Sequence, residues 1–258
     1  MPDLAAIARF LGPQARRFDV DLLPVCASTN AVLLERAEAG APSGSVVVAA
    51  TQTAGRGRRG RAWLSAPGDS LTFSLLWRFA PGTAPAGLSL AAGLAVVRAL
   101  AKLGAGEVAL KWPNDLLKDG RKLGGILVEL VSGAHGYSNV AAVIGIGLNL
   151  RLPAAMPEEL RRQSAALDAA VDPDRLLAVI MQESLAVLES FAAQGFAALR
   201  DAWRAHHAFE NQPVRLLSDF AQQRAGICRG IADDGALLLE VDGRIERILS
   251  GELSLRPA

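Results

Sequence analysis

Seven consecutive residues, Gly55-Arg56-Gly57-Arg58-Arg59-Gly60-Arg61, set three glycines and four arginines into an Ala- and Leu-rich background. Guanidinium forks match carboxylate and phosphate oxygens, and glycine lets a backbone come close to a ligand. The chemistry on offer is an anion held by a loop. Residues 55–60 also fit G-x-G-x-x-G, but a dinucleotide-binding turn needs a helix directly behind it and an acid about 20 residues on. Here Ala62-Trp63-Leu64-Ser65-Ala66-Pro67-Gly68 follows, which starts no helix, and Leu76-Trp77-Arg78-Phe79 holds no acid. The P-loop pattern fails too, because Gly60 precedes Arg61-Ala62 and not Lys-Ser/Thr. Most charge clusters are solvated surface; the interleaved glycines favour a ligand-binding loop.

Further candidates are spread along the chain. Lys111-Trp112-Pro113-Asn114-Asp115 brings a cation, an indole, an amide and a carboxylate to one strand end. An amide can read a base edge, but Pro-Asn-Asp also makes a plain turn, so both readings stay open. Lys122 stands at the mouth of the apolar run that holds Gly124 and Gly125, and Gly145-Ile146-Gly147-Leu148-Asn149 repeats the small-residue theme. Glycine inside a strand often marks close approach of a ligand or backbone. The pattern predicts glycines at matching points of three neighbouring strands, hence a groove over the sheet. Ser28-Thr29-Asn30 precedes a helical run; on these residues alone, helix capping is the preferred reading over ligand contact.

These residues need a sheet to hold them. Strands are expected at 18–22, 45–52, 70–77, 108–112, 122–130 and 140–150, with 70–77 alternating as if one face were wetter. Helices are expected at 3–11, after Asn30, at 87–103, from Pro173 to about 193, and after Gly195, with an irregular Pro/Ala-rich connection over 151–172. From Asn211-Gln212-Pro213 the pattern changes to four short strands with hairpin turns at Asp234-Gly235 and Asp242-Gly243, which implies a small β-barrel. The division is a main domain over 1–210 and a second domain over 211–258.

The 258 residues carry a net charge of +1, so the arginines are a local feature and nothing calls for a nucleic-acid partner. Cys26 and Cys228 form no metal or redox pattern, and three histidines are too scattered for a metal site. The N-terminus reads as no signal peptide, and the apolar stretches near 88–101 and 140–150 fall short of a span. A cytoplasmic protein without a membrane partner is the expectation.

Taken in order, these motifs resemble the biotin–protein ligases, from about residue 18 to Gly251-Glu252-Leu253-Ser254-Leu255-Arg256. The resemblance implies an α+β fold: a mixed, mostly antiparallel sheet with packed helices, like class II synthetases and lipoate ligases, plus a C-terminal SH3-like barrel. It implies ATP and biotin as substrates, Mg²⁺ travelling with ATP and no separately caged metal. The acceptor would be a lysine of a biotin carboxyl carrier protein. By the same resemblance Ser28, Thr29, Asn30 and Gln52 would surround the ureido ring, and Arg56, Gly57 and Arg58 would belong to the loop that folds over biotin. Lys122 and Arg58 would be the catalytic cations. Lys111, Asn114 and Asn149 would join them at ATP or the adenylate, and Asp115 would meet Mg²⁺ or orient a lysine. Family members that repress transcription carry an N-terminal DNA-binding domain. Only about 17 residues precede the similarity here, so a monofunctional ligase is expected. A homodimer could pair through a sheet edge such as 137–150.

Overall fold

The computed structural model describes residues 2–131, 140–154, 156–167, 171–218, 224–249 and 253–257. Seven strands form the main sheet: β1 (Asp19–Cys26), β2 (Ser45–Gln52), β3 (Ser70–Arg78), β4 (Ala109–Lys111), β5 (Asp115–Lys118), β6 (Arg121–Val131) and β7 (Ala141–Asn149). Their order is β1-β2-β3-β7-β6-β5-β4, with β1 and β2 parallel and every other pair antiparallel.

Alternation decides what each face of this sheet touches. Leu71, Phe73, Leu75 and Trp77 of β3, with Ala142, Ile144, Ile146 and Leu148 of β7, point into the large core. That core is closed by α1 (Leu4–Leu11), α3 (Leu88–Lys102) and α5 (Pro173–Gln194). By length and composition α5 could cross a bilayer, a feature the sequence reading passed over. Its Leu177, Ile180, Met181 and Leu188 are instead fully buried in the core.

The opposite face is covered only in part. Helix α2 (Thr29–Glu38) packs Leu33 and Ala37 against Val47, Leu76 and Val143. Beyond α2 the face stays open and carries small or polar residues. The polar side of β3 does not meet bulk water as expected: Thr72 and Ser74 are buried. Strand β7 is flanked by β3 and β6, so residues 141–149 offer no free edge for pairing across a two-fold. Residues 137–139 of that proposed edge lie outside the described residues.

Inside 151–172, where an irregular connection was expected, residues 158–163 form a short helix, α4 (Glu158–Gln163). A 3-10 turn at Phe196–Leu199 leads into α6 (Arg200–Arg204). The C-terminal sheet has five strands and not four: β8 (Pro213–Ser218), β9 (Arg224–Ile231), β10 (Leu237–Val241), β11 (Arg244–Ile248) and β12 (Leu253–Pro257), in the order β11-β10-β9-β8-β12. Asp242 (φ 50°) and Gly243 (φ 73°) are both left-handed, as a tight hairpin demands. This sheet docks on the main body through its other turn. The indole of Trp112, fully buried, donates to Gly235 O at 3.0 Å, and Gly235 lies so near Gly87 that a Cβ there would come within 2.8 Å of the Gly87 Cα.

Candidate active site

A cleft of about 830 Å³ opens on the uncovered face of the main sheet. Ser28, Thr29, Asn30 and Gln52 line one end, Arg56, Gly57 and Arg58 the roof, and Lys111, Asn114, Lys122 and Asn149 the other end. Every residue expected to touch biotin, ATP or the adenylate therefore meets in one space, with Asp115 among them. Nine cationic side chains line it, and Asp115 is the one acid among the described lining residues.

The loop that roofs the cleft is a tight hairpin. Arg56 and Ala62 pair as an isolated antiparallel bridge, Gly57 N donates to Arg61 O at 2.7 Å, and Trp63 N donates to Gly55 O at 2.9 Å. Arg59 (φ 60°) and Gly60 (φ 67°) turn the corner in left-handed conformations. The loop lands back on the sheet through Trp63. A Cβ on Gly147 would sit 2.6 Å from the Trp63 ring, and one on Gly145 would sit 2.2 Å from Asn30 Oδ1. The strand glycines thus border the expected groove and also make room for side chains that cross it. Gly145 admits Asn30, Gly147 admits Trp63, and Gly124 faces the core, where a Cβ would strike Leu148; Gly125 lies against Lys122, and Gly125, Gly145 and Gly147 all border the cleft. The glycines also sit on two adjacent strands, not three, with Gly125 opposite Gly147.

At the far end, register builds an ion triad. Lys111 of β4 stands opposite Asp115 of β5, which stands opposite Gly125 of β6. A β-bulge between β5 and β6 brings Lys122 onto this same face. Asp115 then accepts from Lys111 Nζ at 2.8 Å and from Lys122 Nζ at 2.7 Å. Burial pushes the Asp115 carboxyl up, but the two ammonium groups outweigh it and hold it at about 2. Burial lowers the Lys111 ammonium, with Asp115 pulling it back up. Lys122 is the more exposed of the two lysines and reaches into the cleft. Above them Arg58 Nη1 donates to Asn114 Oδ1 at 3.1 Å, and Asn114 Nδ2 donates to Ile126 O at 3.0 Å. Burial lowers the Arg58 guanidinium, while the Asp115 charge opposes that. Asn149 gives Nδ2 to Ala165 O at 3.0 Å, so its amide nitrogen pins the strap behind α4.

At the near end Ser28 occupies the N-cap position of α2 but makes no side-chain cap bond, so capping is not what these three residues do. Thr29 N donates to Gln52 Oε1 at 2.7 Å; Asn30 Nδ2 donates to Glu129 Oε2 at 2.8 Å; Ser74 Oγ donates to Asn30 Oδ1 at 2.5 Å. Ser74 and Glu129 were not among the expected site residues. The signal for Glu129 is an acid in the otherwise apolar run 123–131, an even number of residues from Gly125. Arg256 of β12 also lines the cleft, so the C-terminal sheet contributes to its wall. Both oxygens of Asp115 are held by lysines, and among the described residues no three His, Cys, Asp or Glu side chains gather as a metal cage. This donor set suits a lysine-orienting carboxylate better than a metal ligand.

A cation-lined cleft with two lysines on one aspartate under a glycine–arginine roof is equipped to bring an organic acid and a phosphate together. Residues 22–149 match the Biotin/lipoate A/B protein ligase family and residues 211–256 the Biotin protein ligase C terminal domain, and the chain belongs to this biotin–protein ligase family. It is 42% identical to the bifunctional ligase/repressor BirA of Escherichia coli over 93% of this chain and 74% of that one. It is 36% identical to the biotin–[acetyl-CoA-carboxylase] ligase of Mycobacterium tuberculosis over 91% and 88%. The biotin protein ligase from Aquifex aeolicus in complex with biotin and ATP superposes with a TM-score of 0.79 at 29% identity, over 93% of this chain and 99% of that one.

Proposed function

We propose that this chain is an ATP-dependent biotin–protein ligase. A biotin carboxylate oxygen attacks the α-phosphorus of ATP, the bond to pyrophosphate breaks, and biotinyl-5′-adenylate forms. A lysine ε-amine of a biotin carboxyl carrier protein then attacks the acyl carbon, AMP leaves with the carboxyl oxygen, and the amine proton passes to solvent. The adenylate supplies the activation, so the residues position groups and stabilise charge.

The observation that carries this reading is the Lys111–Asp115–Lys122 triad at one end of a cleft whose other end holds amide and hydroxyl groups. Biotin's ureido ring fits the end formed by Ser28, Thr29, Asn30 and Gln52, which places its carboxylate towards Lys122. Lys122 stabilises charge between that carboxylate and the α-phosphate, and Asp115 aims it. Arg58, held by Asn114, covers the same charge from the roof, with Arg56 and Gly57 in the loop that excludes water. Lys111 and Asn149 complete the nucleotide end. Mg²⁺ arrives with ATP as the counterion of its phosphates. The working division is a catalytic domain to residue 210 and a C-terminal domain from 211, in a cytoplasmic protein.

ATP–pyrophosphate exchange, run with biotin and with lipoate in parallel and without carrier protein, tests the reading. Exchange that depends on biotin is expected. Exchange with lipoate alone would move the chain to lipoate activation, and biotin binding without exchange would make it a sensor.

A further inference from the structure

We infer that Glu129 is a positioning residue that fixes the hydrogen-bond polarity of the biotin-side groups and ties the glycine–arginine loop down over them. The inference rests on the ligase reading for the identity of the ligand, not for the geometry.

Glu129 projects from β6 on the same face as Gly125 and Leu127, between the N-terminus of α2 and the loop. Its carboxylate is shared. Asn30 Nδ2 donates to Oε2 at 2.8 Å, while Arg56 Nη2 lies 3.3 Å from Oε2 and 3.2 Å from Oε1. A carboxylate can only accept. Asn30 must therefore turn its NH₂ towards Glu129, where the same nitrogen also reaches Leu127 O at 3.3 Å. Its oxygen is left facing Ser74, whose hydroxyl proton has to go to it across 2.5 Å. Ser74 Oγ lies 2.7 Å from Thr29 Oγ1, and Thr29 N holds Gln52 by its oxygen at 2.7 Å. Gln52 is thereby left with its NH₂ against the root of the loop at Gly55. The charge at Glu129 thus fixes the orientation of Asn30 and the direction of the Ser74 proton, while the Thr29 N–H fixes Gln52, before any ligand enters. Gly145 is part of the same device, because only a residue without a Cβ leaves room for Asn30 in this orientation.

The second partner gives Glu129 its reach. Arg56 opens the loop hairpin through its bridge to Ala62, so holding its guanidinium to β6 holds the base of the roof. The pair is partly exposed, and pairs of that kind are individually weak. Its effect is on where the loop rests and not on whether the protein folds. A ligand gripped by Asn30 and Thr29 therefore finds the roof already placed above it.

The test compares wild type with Glu129→Gln, which keeps shape and volume but gives Asn30 a neighbour that can also donate. Three readouts are taken without acceptor protein: biotin affinity by calorimetry, the rate at which trypsin cuts after Arg58 and Arg59, and the KM for ATP in pyrophosphate exchange. We expect biotin to bind about five- to tenfold more weakly, loop cleavage to rise severalfold, and the KM for ATP to change less than twofold. Arg56→Met releases the tie from the exposed side without touching Asn30, and it should raise cleavage after Arg58 and Arg59 to the same degree. Biotin affinity or loop cleavage staying within twofold of wild type in a folded Glu129→Gln protein overturns the inference, as does an ATP KM that rises as far as the biotin constant. Wild-type protein that shows no biotin-dependent exchange would sink the ligase reading instead, and the cleavage comparison would still decide the tie.

Discussion

Asp115 shows how much one side chain can depend on its neighbours. Its carboxyl is held at about 2, against 3.8 for an unperturbed aspartate. A depressed value means that the folded chain keeps a charge the unfolded chain would give up. The stabilisation is fully present above about pH 4 and is lost as the pH falls through about 2. A displacement of this size corresponds to roughly 2 kcal/mol. Asp115→Asn should thus lose about that much in urea unfolding at pH 7, and the gap to wild type should close as the pH is lowered from 4 to 2. A gap that persists unchanged at low pH would mean that shape, not charge, is what Asp115 supplies. Activity should fall as well, because Lys122 would lose the group that aims it.

At the scale of the elements, six of the seven main-sheet strands were legible because alternation and glycine placement are local; β5 was not, being four residues directly behind the Pro113-Asn114 turn. The arginine loop, the Lys111–Asp115 turn and Lys122 could be marked as candidates for the same reason. What lies over the glycines was not legible, since it depends on which strand pairs with which. Nothing near Gly147 in sequence points to Trp63, 84 positions away in the chain. The bulge that brings Lys122 to the cleft side has no residue signal either, and β12 was missed because Leu253–Pro257 has no hairpin turn to announce it. Helix α4 is only six residues long and lies between prolines and outside any hydrophobic stripe. The glycine assignment can be tested: Gly145→Ala should displace Asn30 and weaken biotin binding by about tenfold or more in calorimetry, with a near-native melting curve. Unchanged affinity would show that Asn30 is not needed in this orientation.

On the scale of the whole molecule, the two sheets meet at a point with no slack. Gly235 (φ 82°) abuts Gly87, itself left-handed at φ 82°, and the Gly235 carbonyl is the acceptor for Trp112 one residue before the Pro113-Asn114-Asp115 turn. Gly235→Ala adds both backbone strain and a clash. We expect it to lower the melting temperature by several degrees and to raise the KM for ATP more than that for biotin, because Arg256 and the Trp112 turn border the cleft with Lys111 and Asp115, where ATP is proposed to bind. Equal changes in both constants would argue against that placement.

The gathering of cations in one cleft has a consequence for how ligands arrive. A chain with a net charge of +1 whose cleft is lined by nine cations and one acid must carry net negative charge over the rest of its surface. Near-neutral by count, it is a dipole in space. A polyanion such as a nucleoside triphosphate is drawn to one face and repelled by the others, so each diffusing encounter is turned towards the mouth before contact.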